Sequence, residues 1–364
     1  MPTSLMVVSD AELVSSTGRR KPAAHSQYSL INTARVFAAT SRGIGIGTFS
    51  TSLNMWITGH FGMICEMMAA LLGRENSILF EYTSPEPLAS MIQKHQIELG
   101  MLPPRVLHAL GDVEGRADLS SLRRVFTAGA AIPEHTRLAL SRMMRGGDFL
   151  SYYGSTECSA VSSLPIDERT QHDPKSVGRV LEGVEIQIRD PSSGQVLGHG
   201  QTGSVFVKSP ATFCGYLGDA EATKEVITED GWVRPGDLGY TDADGTLYIS
   251  GREKDVLRVR GRSVLPAEIE SCLQEELGHI VKEIAVVGKA HVDAGEIPCA
   301  FISLTDRKED FDPAMIHSIV ARRLNPVNQL EGGIAVMDAL PRNTVGKIDK
   351  MALREIANAT TGSK

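Results

Sequence analysis

Cysteine is scarce, basic charge is not in excess, and no long apolar run occurs. The 364 residues hold five cysteines, Cys65, Cys158, Cys214, Cys272 and Cys299, odd in number and far apart. This excludes the dense disulfide framework of small secreted domains and the close pairs of a cysteine zinc site, and it fits thiols kept reduced as small core residues. The 37 Lys and Arg are outnumbered by 44 Asp and Glu, for a net charge of -7, so the chain lacks the electrostatic footprint of a nucleic-acid binder. The start, Met1-Pro2-Thr3-Ser4-Leu5, has no basic flank leading into an apolar run, so no secretory signal is expected. The most apolar window, residues 55–72, is interrupted by Thr58, His60 and Glu66. It reads as a buried helix and not as a membrane span, which takes about 20 nearly uncharged residues. There is no short repeat or low-complexity tract, and a cytoplasmic protein is expected. What is present, 42% hydrophobic and 22% charged residues, is the make-up of a globular protein with length for two domains.

Along the chain the texture changes twice. Between residues 33 and 142, helix-like pieces (62–72, 87–95) alternate with strand-like ones (77–80, 97–102, 124–129), which predicts a parallel α/β sheet with its sites at the carboxyl ends of strands. From residue 178 to about 248 short strands are broken by turns such as Pro191-Ser192-Ser193-Gly194 and Asp242-Ala243-Asp244-Gly245, predicting a small β-barrel or a distorted antiparallel sheet. Beyond Gly251, helices at 266–277 and 313–324 alternate with strands at 283–287, 300–304 and 333–337. This predicts a separate α+β domain of about 110 residues.

Several short segments carry chemistry. Tyr152-Tyr153-Gly154-Ser155-Thr156-Glu157 gathers an aromatic ring, a glycine, hydroxyls and a carboxylate after the strand-like residues 148–150. It suits stacking on a planar base, hydrogen bonding to phosphate and a magnesium contact through Glu157. The plain alternative is a turn in which Ser155 or Thr156 caps a following helix. Ala128-Gly129-Ala130-Ala131 is a small-residue turn at a strand end, open to close approach by a ligand or simply required by packing. Gly236-Asp237-Leu238-Gly239 offers a carboxylate for a ribose, or an exposed hairpin aspartate. Gly251-Arg252-Glu253-Lys254-Asp255 is either a hinge or a solvated linker, and the following Arg258-Val259-Arg260-Gly261-Arg262 reads as a solvated edge. Near the C-terminus, Pro341-Arg342-Asn343-Thr344-Val345-Gly346-Lys347 presents a lysine on a glycine-preceded turn, where a cation can meet negative charge developing on a phosphate.

The order and spacing of these segments, with the Pro266-Ala267-Glu268-Ile269-Glu270 run, resemble the adenylate-forming (AMP-binding) superfamily of acyl-CoA synthetases, aryl-CoA ligases, peptide-synthetase adenylation domains and luciferases. The resemblance covers about residues 13–356. It implies an N-terminal AMP-binding domain over 1–253, with an α/β part to about 177 and a β-rich part over 178–253, and a mobile C-terminal domain over 254–364. It further implies that Tyr153 stacks on adenine, with Gly154 and the Gly129-Ala130-Ala131 turn beside it. Thr156 would contact the α-phosphate, Glu157 would help bind Mg2+, and Asp237 and Arg252 would bind the ribose of ATP. Lys347 would bridge carboxylate and phosphate oxygens, Lys254 would be the hinge, and Gly261 would lie on the loop beside a coenzyme A or phosphopantetheine arm. His60 matches a position near the acyl pocket, though a histidine there also suits a structural role.

Two departures stand out. The family's phosphate loop is matched by Val14-Ser15-Ser16-Thr17-Gly18-Arg19-Arg20-Lys21-Pro22, which keeps Thr17, Gly18 and Lys21 but lacks a glycine near Ser15 and has Arg20 where proline is usual. A loop that closes over pyrophosphate uses backbone freedom and amide donors, so impaired adenylation is one expectation. The loop also begins near residue 13, whereas the family has roughly 150 or more residues before it, the size of a further subdomain. An N-terminally shortened chain leaves a sheet face to be covered, so a homo-oligomer or a complex with another protein is expected. The leading function is ATP-dependent activation of a small carboxylic acid as an acyl-adenylate, then transfer to a thiol (coenzyme A or a carrier-protein pantetheine) or an amine. The alternatives are ATP-independent acyl transfer, condensation or cyclisation on the same fold, and a noncatalytic partner subunit.

Overall fold

A computed structural model describes residues 5–8, 21–42, 51–55, 67–70, 72, 76–129, 132, 134–166, 173, 175–305, 311–343 and 348–359. By internal contacts the chain divides into two units, Met1–Pro235 with Tyr240–Ile249, and Gly236–Gly239 with Ser250–Lys364.

The first unit begins with β1 (Leu5–Val8), β2 (Ala23–Ser26) and α1 (Gln27–Arg42), then β3 (Thr51–Met55) and β4 (Asn76–Phe80). Helices α2 (Pro85–His95) and α3 (Pro104–Gly111) flank β5 (Leu99–Met101), and α4 (Glu134–Met144) lies between β6 (Arg124–Ala128) and β7 (Asp148–Ser155). Strands β3 to β7 form a parallel sheet in the order β4-β3-β5-β6-β7. Alternate side chains explain its layers: Val125 and Phe149 pack with Leu88, Ile92, Leu107 and Leu140 of the helices on one face, while Phe126, Leu150 and Tyr152 pack with Leu30 and Phe37 of α1 on the other. Strand β6, read in the sequence at 124–129, is buried along residues 124–127. Each fully buried leucine contributes about 1.5–3 kcal/mol relative to exposure.

At β7 the sheet changes sense. Strands β8 (Ser159–Ile166), β9 (Ser176–Val180), β10 (Glu185–Arg189) and β11 (Gly203–Lys208) are antiparallel, as is the pairing of β14 (Thr246–Arg252) with β9. With β13 (Asp237–Thr241) these strands complete a single eleven-stranded path, so the β-rich region takes the form of a distorted antiparallel extension of the parallel sheet. Between them run β12 (Gly215–Tyr216), which joins β1 and β2 in a three-stranded sheet, and the short helix α5 (Ala220–Val226).

In the second unit β15 (Leu257–Val259) and β16 (Arg262–Val264) make a hairpin, followed by α6 (Pro266–Leu277), β17 (Val281–His291), β18 (Gly295–Leu304), α7 (Pro313–Arg323), β19 (Ile334–Val336) and α8 (Lys350–Ala359). Alternation again divides the strands: Val286, Ala300 and Ile302 pack with Ile269, Leu273 and Ile316, whereas Val287, Cys299 and Phe301 pack with Leu353 and Ala357 of α8. The four described cysteines, Cys158, Cys214, Cys272 and Cys299, are unbridged. Among the described residues no helix is long and apolar enough to cross a membrane.

Candidate active site

The strand read at residues 148–150 runs on into the Tyr152–Glu157 segment. Strand β7 continues through Ser155 because Tyr152 and Tyr153 pair with Ser163 and Ser162 of β8, and the turn falls at residues 156–158. No helix follows, so a helix cap at Ser155 or Thr156 is not what forms; Ser155 Oγ instead accepts from Cys158 N at 3.3 Å across the hairpin. The two tyrosines divide by pleat: Tyr152 is buried between Phe37 and Phe126, with ring centroids at 4.9 and 5.4 Å, and Tyr153 is half-buried on the opposite face. Gly154 has a steric cause, since a Cβ there would overlap the Ser159 carbonyl oxygen. The parallel register Ala128↔Tyr152 sets the end of β6 beside this segment. Gly129, at φ 95°, holds a conformation that disfavours side chains, and it is exposed. Both strand ends therefore lie on the carboxyl edge of the parallel sheet, where α/β proteins bind ligands.

Thr156 and Glu157 are buried in the turn. The turn is held by His25 of β2, fully buried, whose Nε2–H donates to the Thr156 carbonyl at 2.9 Å while Nδ1 faces Ser29 Oγ at 3.3 Å. Burial pulls the His25 pKa from 6.5 to about 4, against the raising influence of the Thr156 carbonyl and the Glu157 charge. Glu157 Oε1 accepts from the Tyr216 hydroxyl at 2.7 Å, and the Lys21 ammonium lies 5.2 Å from the Tyr216 ring centroid, a cation–π contact between two half-buried side chains worth about 0.5–2 kcal/mol. The end of the phosphate-loop match is thus drawn to the turn through β12, although Lys21 and Glu157 are 136 positions apart in sequence. Among the described residues no group of three or more His, Cys, Asp or Glu side chains can hold a metal ion. A lone buried carboxylate fits magnesium, which takes one or two protein carboxylates together with substrate phosphate oxygens; Glu157 is the residue that would hold it.

In the second unit Asp237 is buried at the start of β13, unlike an exposed hairpin aspartate, and Arg252 Nη1 donates to its Oδ1 at 3.0 Å. Gly236, at φ 80°, turns the chain into the strand, and its carbonyl accepts from Glu253 N at 3.0 Å. Lys254 is exposed in the 3-10 turn Glu253–Asp255. Gly261 forms the tip of the β15–β16 hairpin with Arg260, both at positive φ (76° and 50°), as a type I′ turn requires. The guanidinium of Arg260 grips Glu331 through two bonds of 2.9 and 2.7 Å.

Thr17, Gly18, His60, Ala130, Ala131 and Lys347 lie outside the described residues. The chain on either side of the Lys347 segment is described: Arg342 and Ile348 form an antiparallel bridge, and Asp349 N donates to the Pro341 carbonyl at 2.8 Å. Lys350, at the start of α8, donates to Glu270 Oε1 at 2.8 Å and lies 4.0 Å from Asp255 Oδ2. Glu270 Oε1 also accepts from Val286 N at 2.7 Å, which gives the Pro266–Glu270 run a structural purpose. Sequence reasoning gave no role to His25, Tyr216 or Lys350. A lone polar residue in a short strand or helix start carries no periodic signal, and its partners are distant in sequence.

The profile of the family described as AMP-binding enzyme matches residues 15–217, more than half of the chain, and that of the AMP-binding enzyme C-terminal domain matches residues 268–347. The chain is 31% identical over 308 residues to 4-coumarate--CoA ligase-like 9 of Arabidopsis thaliana, covering 84% of this chain and 54% of that protein. It spans about half the length of the first curated relatives it matches. Among solved structures, the amide bond synthetase McbA from Marinactinospora thermotolerans superposes with a TM-score of 0.83 at 30% identity, over 94% of this chain and 67% of that one. ATP-bound MatB from Rhodopseudomonas palustris gives 0.82 at 27% identity, over 97% and 67%. By these matches the chain belongs to the AMP-binding, or adenylate-forming, enzyme family.

Proposed function

We propose that the chain is an acyl-CoA synthetase-like ligase that activates a carboxylic acid with ATP and passes the acyl group to a thiol or an amine. The observation that carries this reading is the assembly of Lys21, Thr156 and Glu157 at the carboxyl edge of the sheet, linked through His25 and Tyr216. An ammonium, a hydroxyl and a buried carboxylate there suit a nucleoside triphosphate with its divalent cation. The ATP-bound state of MatB supports the nucleotide, and the ligase relatives support the acyl chemistry.

In the first step a carboxylate oxygen of the acid attacks the α-phosphorus, the bond to the bridging oxygen breaks, and pyrophosphate leaves with an acyl-adenylate formed. Lys21 and Thr156 orient phosphate oxygens, while Asp237, its carboxylate held by Arg252, receives the ribose hydroxyls. Lys347 meets the charge on the reacting oxygens. Glu157 would hold a magnesium ion, which would supply neutralisation of phosphate charge. In the second step a thiol or amine attacks the acyl carbonyl, AMP departs, and the nucleophile loses its proton. The second unit supplies the Gly261 hairpin for a pantetheine arm and Lys254 as the hinge.

Carboxylate-dependent exchange of labelled pyrophosphate into ATP tests the first step. It should appear with at least one acid of a broad panel and fall by about 10²-fold or more on Lys347→Ala or Asp237→Ala. Absence of exchange with every acid removes the reading. The likeness to an amide bond synthetase keeps an amine acceptor beside coenzyme A; mass spectrometry of products formed with each acceptor decides between them.

A further inference from the structure

Lys21 and Glu157 carry opposite charges, yet among the described residues they form no ion pair with each other. Tyr216 contacts both. Its ring faces the Lys21 ammonium at 5.2 Å and its hydroxyl donates to Glu157 Oε1 at 2.7 Å. The tyrosine is itself fixed. Its N–H donates to Thr223 Oγ1 at 2.9 Å, the Thr223 hydroxyl donates to the Asp219 carbonyl at 2.8 Å, and the Phe213 ring meets it edge-on at 5.1 Å. Pairing of Gly215 and Tyr216 with Ala24 and Ala23 ties the same strand to the element that follows Lys21.

We propose that Tyr216 is a positioning residue that keeps Lys21 and Glu157 from neutralising each other, so that the ammonium stays available to phosphate oxygens and the carboxylate to a divalent cation. The inference rests on the nucleotide reading given above. Its chemistry is that of a neutral spacer. A carboxylate has two oxygens and about four acceptor sites, so one phenol donor fixes its orientation, leaves its charge intact and leaves the second oxygen open. An ammonium in the same place would cancel that charge. The ring likewise holds the ammonium through its quadrupole, without a counter-charge that phosphate must displace. A direct Lys21–Glu157 pair at this buried carboxylate would have to break before either ligand bound, and breaking such a pair is costly.

Two substitutions in the full chain separate the parts. Tyr216→Phe keeps the ring and removes the hydroxyl; Tyr216→Leu removes both. Trace acetylation of Lys21 with acetic anhydride, read by mass spectrometry, needs no nucleotide. Tyr216→Leu should slow it about threefold or more, because pairing with Glu157 raises the ammonium pKa, and adding Glu157→Gln should restore the rate. Calorimetry with ATP, with and without MgCl2, reads the consequence. Tyr216→Phe should cut the gain in affinity on adding magnesium about tenfold while leaving magnesium-free affinity near wild type. Tyr216→Leu should lower affinity under both conditions. Wild-type acetylation of Lys21 in a folded Tyr216→Leu chain overturns the proposal, as does an unaltered magnesium gain in Tyr216→Phe. A wild-type chain that binds no ATP at all removes the nucleotide reading alone, since the acetylation rates still decide whether Tyr216 is a spacer.

Discussion

His25 and Thr156 meet through a 2.9 Å hydrogen bond that spans 131 positions of sequence and joins strand β2 to the β7–β8 turn. The donor is an imidazole in a fully buried place: the carbonyl it binds favours the protonated ring, but burial penalises the charge more, so the ring is held neutral and protonation strains its surroundings.

The folded protein therefore binds fewer protons than the unfolded chain between pH 6.5 and about 4. A lowered histidine pKa contributes stability that is fully present above 6.5 and is lost as pH falls through that window, by about 3 kcal/mol at most. Asp190, held at about 2 by hydrogen bonds from Ser192 and Ser193, acts in a lower window and does not mimic this loss. Urea midpoints measured from pH 7 to 4 should fall more steeply for the wild type than for His25→Gln; parallel curves would contradict the assignment.

Arg124 is fully buried, and its Nε and Nη2 bind Asp148 Oδ1 and Oδ2 at 2.8 and 2.7 Å across the starts of β6 and β7. The partners are unequal, because the Asp148 side chain keeps 31% of its surface in water and the guanidinium keeps none. Asp148→Ala removes the carboxylate from a fully buried guanidinium and should cost about 3–5 kcal/mol, while Arg124→Met leaves a carboxylate that water can reach and should cost less. Equal losses in denaturant titrations would show that the asymmetry of exposure does not govern the pair.

Gly154→Ala forces a methyl group against the Ser159 carbonyl, and backbone cannot yield as a flexible side chain does. A loss of about 2 kcal/mol or more is expected, together with weaker ATP binding if the hairpin opens at the turn that carries Thr156 and Glu157. Unchanged stability would mean that the β7–β8 register relaxes freely.

Glu270 accepts from both Val286 N and Lys350 through one oxygen. Glu270→Ala should destabilise by roughly 2–4 kcal/mol by leaving an amide and an ammonium without their acceptor, whereas Glu270→Gln keeps an acceptor for the amide and should cost about half as much. Thermal melts of the two variants separate the amide's share from the charge's share.

Much of this fold was legible because burial imposes a period. The helix expected at 266–277 appears as Pro266–Leu277, since Ile269, Cys272, Leu273 and Leu277 repeat on one face and Pro266 suits a first turn. The strand read at 148–150 runs on to Ser155, because the β8 pairing partner that keeps Tyr152–Ser155 extended lies across the turn, beyond the reach of local pattern. The candidate site was legible where ordered motifs carried it, as at Asp237, which proved buried beside Arg252. Its supporting residues were not. Tyr216 and His25 acquire meaning only through contacts made on folding, and no spacing rule links residue 25 to residue 156.

At the Arg260–Gly261 tip the backbone takes two successive conformations whose natural occupants would be amino acids of the opposite hand. The strands on either side are locked by Leu257↔Val264 and Val259↔Arg262, and Arg260 is moored to Glu331, so the turn has little freedom to invert. A semisynthetic chain with D-alanine at position 261 should keep this hairpin with its stability intact, while L-alanine there should cost about 1–2 kcal/mol. At this position the polypeptide discriminates by chirality and not by side-chain size.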